Sequence, residues 1–289
     1  MRDFYFHAPT SLPEALTLLD EHKEDGRPFA GGTALVVMMK QSLVDADHMI
    51  SLARVPGLTG IRKEADGLHI GGLTRHRDVE TSADAKSVVP FLSEVYSHVA
   101  TVRIRNVATV GGGIAHGDPS QDPPPALIVL GAQVKLQSKS GERVVSLSDG
   151  FFQDYYETSI EPGELITEVI VPNQPAGART AYLKFLPRTA DDYATVAVAA
   201  MATTEGGVVK TLRVALGAAG PTPIHATAVE QALIGKQATP QAIRDAADAV
   251  AALVDPLDDF RGSSEYKRDM AVVFTRRALE RVLLNGAGA

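Results

Sequence analysis

The sequence contains no cysteine, so the chain can supply no thiolate to an iron–sulfur cluster, no cysteine nucleophile and no disulfide. It also lacks an excess of positive charge: 28 Lys and Arg stand against 35 Asp and Glu, a formal net charge of −7. That balance gives no electrostatic footprint for nucleic acid or an anionic membrane. The start, MRDFYFHAPTS, has no basic head followed by an apolar core, and no apolar run approaches the length of a bilayer span. A soluble, cytoplasmic protein without membrane insertion is expected. Repeats and low-complexity tracts are absent, and so are two nucleotide signatures. In Gly111 to His116 a histidine stands where G-x-G-x-x-G needs its last glycine, and no glycine–lysine pair is followed by Ser or Thr at Walker spacing.

What is present is enough chain, 289 residues, for two or three modules around separate cores. Ser11 and Glu14 have the spacing of a capping box, and Leu12, Ala15, Leu16 and Leu19 form a stripe, which predicts a helix after a short strand at Phe4 to His7. A second helix is expected over Leu35 to Leu43, then a strand at Met49 to Leu52 and a hairpin through Asp66-Gly67. Helices are expected at Thr74 to Val79 and Phe91 to Thr101. A second hairpin is read through Ser140-Gly141, and a strand over Ile166 to Val171. Tyr182 to Leu186, Ala194 to Thr203 and Val208 to Leu216 read as an antiparallel meander. Helical periods then run over Ala226 to Leu233, Pro240 to Leu253 and Ser264 to Leu284. Boundaries are placed near Pro56 and in 173–179, giving units at 1–56, 57–175 and 176–289.

Two glycine-rich stretches carry the chemistry. In FAGGTAL, Gly31 and Gly32 follow an extended run and precede Thr33. In NVATVGGGIAHGDPSQDPPP, Gly111, Gly112 and Gly113 follow an apolar run. Such glycines can take positive φ and leave bare amides facing an anion. Two bends of this kind can clamp a diphosphate, helped by the unpaired amides of the helix beginning at Leu35. His116, Asp118, Ser120 and Asp122 follow in a segment expected to stay out of helix because of Gly117 and four prolines. His116 is read as a loop hydrogen-bonder. With Asp118 it offers two metal ligands and no third, and no nucleophile elbow surrounds Ser120. Asp191-Asp192-Tyr193 reads by itself as a turn between strands, and Lys184 as a solvated edge residue.

Taken together, AGGTAL at Ala30 to Leu35, VRIRNVATVGGGIAHGDPSQDPPPAL at Val102 to Leu127, GELITEVIVP at Gly163 to Pro172 and YLKFLPRTADDYA at Tyr182 to Ala194 resemble the FAD-binding medium subunit of the molybdenum hydroxylases. Within that family the chain is most similar to the carbon monoxide dehydrogenase type of separate flavoprotein. The resemblance implies an α+β architecture: a two-subdomain FAD-binding domain, then a C-terminal domain of a three-stranded antiparallel sheet with helices. It implies that Ala30, Gly31, Gly32, Thr33, Ala34 and Leu35, with Thr109, Val110, Gly111, Gly112 and Gly113, cradle the FAD diphosphate. Asp122 would accept from the ribityl or ribose region, Ile166 and Lys184 would line the adenine side, and Asp191, Asp192 and Tyr193 would lie beside the isoalloxazine. Gly113 and Thr33 depart from the residues common in relatives at those positions.

The implied function is electron transfer in an oxidoreductase, as a medium subunit between a small [2Fe–2S] subunit and an external acceptor. A large molybdopterin subunit would carry the substrate chemistry, in a dimer of heterotrimers. The absence of cysteine fits that division. A stand-alone flavin oxidoreductase, with Asp191, Asp192 or His116 as base, and a non-catalytic nucleotide-binding assembly module are the alternatives.

Overall fold

The computed structural model describes residues 2–186, 188–189 and 191–284. The expected end units also contain Met1, Pro187, Ala190 and 285–289, which lie outside the described residues. Three sheets succeed one another along the chain, each from its own stretch of sequence.

The first is parallel: β1 (Tyr5–His7), β2 (Gly26–Phe29) and β3 (His48–Ser51), in the order β1-β3-β2. Parallel neighbours need crossovers, here α1 (Leu12–His22) and α2 (Leu35–Lys40). Ser11 caps α1 by accepting from the Glu14 amide at 3.3 Å. The reciprocal half of the box goes one residue astray, because the Glu14 carboxylate takes the Thr10 amide instead, at 2.7 Å. Ala15, Leu16 and Leu19 pack with Ile50 and Leu52 as the stripe requires. α2 stops three residues before Leu43: Ser42 turns left-handed at φ 58°, and the Leu43 amide closes back on the Met38 carbonyl.

The second sheet is antiparallel. Its strands are β4 (Ile61–Lys63), β5 (Gly67–Gly71), β6 (Gln133–Ser138) and β7 (Gly141–Ser146). After a small ribbon of β8 (Phe152–Asp154) and β9 (Glu157–Thr158), β10 (Leu165–Pro172) enters the centre to give β4-β5-β10-β6-β7. Both hairpins turn where the sequence indicates. Between β5 and β6 run α3 (His76–Thr81), α4 (Ala83–Val88), α5 (Pro90–Ser97), α6 (Val102–Arg105), α7 (Val110–His116) and α8 (Pro123–Val129).

Two expectations are corrected here. Gly111, Gly112 and Gly113 lie inside α7, and none has positive φ. Thr109 caps this helix and makes the glycines its first turns, with Gly117 at φ 64° ending it. The prolines do not prevent helix either: Pro123, Pro124 and Pro125 are the first turn of α8, where a missing N–H costs no intrahelical bond.

The third sheet is β11 (Arg179–Phe185), β12 (Val196–Glu205) and β13 (Val208–Gly217), the three long strands as read. A two-residue edge, β14 (Ile224–His225), makes four. Helices α9 (Thr227–Leu233), α10 (Pro240–Asp248) and α11 (Ser264–Leu283) cover one face; α10 gives way to a 3₁₀ turn at Ala249–Ala252 before reaching Leu253. On β12, Ala197, Ala199 and Met201 point into the core shared with α8 and the second sheet, whereas Val196, Val198, Ala200 and Ala202 join the core under α9 to α11. Alternation of side chains thus puts one strand in two cores, which explains why its sequence is apolar throughout.

Candidate cofactor cleft

A cavity of about 820 Å³ is bordered by parts of all three sheets, within the ~300–1,000 Å³ usual for ligand pockets. Its lining contains 30–35, Thr109, Gly111, Gly112, Gly113, Asp122, Ile166, Lys184, Asp191, Asp192 and Tyr193. Of the cofactor residues expected from the sequence, Val110 is the exception. Its side chain is buried in the core and its amide donates to the Thr74 carbonyl at 2.9 Å.

The two glycine stretches meet. A Cβ at Gly31 would stand 2.2 Å from the Val107 carbonyl oxygen, and one at Gly112 would reach the Ala30 Cβ at 3.9 Å. Gly32 has φ 70°, where an added Cβ would also strike the Phe29 ring at 2.5 Å. Among the described residues, the chain offers no acceptor to the amides of Gly31, Gly32, Thr33, Ala34 or Leu35. This bend therefore presents unpaired donors. The other does not: Gly111 donates to the Gly72 carbonyl at 2.8 Å, Gly112 to Thr109 Oγ1 at 3.2 Å and Gly113 to the Thr109 carbonyl at 2.9 Å. The expectation of bare amides at 111–113 is corrected, since capping and the helical ladder use them. What α7 contributes is a surface without side chains, which lets a ligand approach its backbone closely.

Gly113 also has a local reason to be glycine. A Cβ there would lie 3.0 Å from Gln121 Oε1 and 3.4 Å from His76 Nε2. Gln121 donates to the Gly113 carbonyl at 2.9 Å. His76 bonds to the Thr109 carbonyl through Nε2 at 3.1 Å, and among the described residues its Nδ1 has no partner. Burial, aided by Arg105, pulls its pKa down to about 4 against that hydrogen bond, so the ring is neutral. Both side chains line the cavity. Gln121 lies within the second glycine-rich stretch, whereas His76 is marked by no motif and joins the site through the contacts of α3 with the Ala108 and Thr109 carbonyls.

Asp122 and Lys184 are neither free nor solvated. The Lys184 Nζ sits 2.9 Å from Asp122 Oδ2 and also donates to the His98 carbonyl at 2.9 Å, with both charged side chains under 5% exposed. Tyr182 donates to Asp122 Oδ1 at 2.5 Å. Burial pushes the Asp122 carboxyl up from its ordinary range, opposed by Lys184 and Tyr182. The reading of Lys184 as a solvated edge residue is thus overturned by a buried counter-ion that its own strand could not reveal.

Asp191, Asp192 and Tyr193 stand at the mouth, in a loop closed at its base by the Thr195 amide on the Phe185 carbonyl at 2.8 Å. Asp192 pairs with Arg188 at 3.5 Å. Tyr193 is 47% exposed, and desolvation of its hydroxyl, with the negative charge of nearby Asp118, raises its pKa. Arg261 lies over its ring at 5.9 Å and donates to the Ala194 carbonyl at 3.1 Å. Asp118 and Ser120 do not line the cavity; Asp118 instead accepts from the Ser120 amide at 2.9 Å. His116 is the last residue of α7 rather than a loop residue. It lines the cavity beside the Tyr156 ring, and burial lowers its pKa against Asp118.

The family described as "FAD binding domain in molybdopterin dehydrogenase" matches residues 2–174, and "CO dehydrogenase flavoprotein C-terminal domain" matches 181–282. The chain is similar to the carbon monoxide dehydrogenase medium chain of Hydrogenophaga pseudoflava, at 37% identity over 96% of each. It is also similar to the glyceraldehyde dehydrogenase medium chain of Sulfolobus acidocaldarius, at 34% identity over 97% of this chain and 98% of the other. A solved carbon monoxide dehydrogenase from Hydrogenophaga pseudoflava, lacking the Mo-pyranopterin moiety of its cofactor, superposes with a TM-score of 0.94 at 39% identity, covering 97% of each chain.

Proposed function

From the premise that this chain belongs to the FAD-binding, CO dehydrogenase-type flavoproteins of the molybdenum hydroxylases, we propose that its cleft holds FAD with the diphosphate on the Ala30 to Leu35 bend. The observation that carries this reading is the set of unpaired amides there, facing a glycine surface on α7 that leaves room for the cofactor backbone. Thr109 orders that surface by capping α7. Ile166 supplies apolar wall, and Asp122 and Lys184, already paired, shape the cleft more than they contact the cofactor directly. Asp191, Asp192 and Tyr193 flank the isoalloxazine end, where the Tyr193 ring, with Arg261 over it, covers one side. When bound, FAD supplies the storage and release of electrons; the chain binds it, orients it and limits water at the mouth.

In this reading the protein is the medium subunit of a dimer of heterotrimers in the cytoplasm. A small [2Fe–2S] subunit delivers electrons, a large molybdopterin subunit oxidises the substrate, and the units 1–56, 57–175 and 176–289 are two FAD-binding subdomains and a C-terminal domain. Relatives of near-equal similarity are named for carbon monoxide and for glyceraldehyde, which fits substrate choice residing on another chain. No helix among the described residues is long and apolar enough to cross a membrane.

The test is flavin uptake. Purified protein given FAD should show the two-band yellow spectrum, bleached by dithionite. Gly32→Ala, which forces a left-handed alanine costing ~1–2 kcal/mol and a Cβ against Phe29, should weaken FAD binding by about ten-fold or more. Colourless protein that takes up no FAD overturns the proposal.

A further inference from the structure

Outside the residues that line the cleft, the first sheet gathers three histidines that none of the chemistry above uses. Pairing of Tyr5 with His48 and His7 with Ile50 in the parallel β1·β3 ladder puts His7 and His48 on one face. Gly26 of β2 stands beside His48. Having no side chain, it leaves the space taken by the end of α1: a Cβ at Gly26 would lie 2.9 Å from the His22 Cβ. His22, the last residue of α1, therefore comes down onto His48, with the rings stacked at 3.6 Å between centroids. His7 Nε2 lies 3.0 Å from His48 Nδ1, and one ring nitrogen from each of the three falls within 4.8 Å of the others. All three are half-buried, and Tyr5 stacks on the outer side of His48.

We propose that His7, His22 and His48 form a binding site for a single divalent transition-metal ion of the zinc type, which ties β1, α1 and β3 together. Imidazole nitrogens suit zinc, and three of them with an open fourth position are a recurrent donor set. Ligands at ~2.0–2.1 Å around a tetrahedral ion lie about 3.3 Å apart; the His7–His48 separation is already close to that, and ring rotation of His22 brings in the third. The alternative, a purely structural cluster, accounts for the His7–His48 hydrogen bond and the His22–His48 stack but not for one nitrogen of each ring lying within 4.8 Å of the other two. One further feature favours a cation: His22 ends α1, where the helix dipole is negative. The ion would serve a small parallel sheet whose own core is limited to short clusters.

None of the three histidines lines the cleft, and the test uses the full chain without an affinity tag, stripped of metal by a chelator. Zn²⁺ titrated by calorimetry should bind at one equivalent, and Co²⁺ at the same site should give the absorption of a four-coordinate complex. With ¹⁵N-labelled histidine, Zn²⁺ should move the ring resonances of three histidines and leave the other five of the eight in place. His22→Ala and His48→Gln should each weaken binding by more than about ten-fold, the lower end of what even an outer partner of a metal ligand contributes. His225→Gln, on β14, should bind as the parent does. Absence of a saturable one-to-one event in the parent protein overturns the proposal, as does binding unchanged in both folded variants, or resonance changes at other histidines only.

Discussion

At the scale of single residues, His76 shows how a side chain with no motif can set a property of the protein. Its ring is neutral in the fold, with a pKa near 4 against an ordinary 6.5. Between those values the unfolded chain binds the extra proton and the folded chain does not, so stability present above about pH 6.5 is lost as the pH falls towards 4. The full shift corresponds to at most about 3 kcal/mol. His76→Gln keeps a donor for the Thr109 carbonyl and removes the titration. Melting temperatures measured from pH 7 to 4 should therefore fall less in the variant than in the parent; parallel curves would show that this ring does not contribute.

At the scale of elements, the tie between α8 and β11 is the one to break. Asp122 is the N-cap of α8, while Tyr182 and Lys184 project from β11, so one buried carboxylate joins that helix to the third sheet. Lys184→Met leaves that carboxylate without its cation, which in buried pairs costs about 3–5 kcal/mol. Thermal or urea unfolding should show a loss of this size, and the double variant with Asp122→Asn should recover part of it. A single variant as stable as the parent would mean that Tyr182 and solvent suffice.

Elements also show how far the sequence could be read. Long periodic segments such as α1, α11 and the β11 to β13 meander, and both hairpins, were legible because their signals are local. The helical state of Val110–His116 was not. Three glycines argue for a turn, and what makes them helix is the Thr109 cap and the contact of Gly111 with the Gly72 backbone, 39 positions distant in the chain. That the acidic stretch and both glycine-rich stretches border one cleft was legible through family resemblance. Lys184 with Asp122, His76 with Gly113 and the histidine trio were not, since each joins residues whose spacing fits no motif.

For the molecule as a whole, the two-cored strand β12 means that the C-terminal sheet is half of someone else's interior. Ala197, Ala199 and Met201, with Tyr182 and Ala215, complete the core that the second sheet and the helices between β5 and β6 begin. A fragment spanning 176–289 should therefore expose that face, bind a hydrophobic dye and melt without a sharp transition, although it contains all of its own helices. A cooperative melt with no dye binding would instead mark it as self-sufficient. Because the loop bearing Tyr193 springs from β11 and β12 and is pinched at Thr195, anything that rocks this sheet, a docking neighbour included, moves the gatepost of the cleft with it. Residence of the yellow cofactor becomes a gauge of assembly, with slower escape once the surrounding complex clamps the sheet.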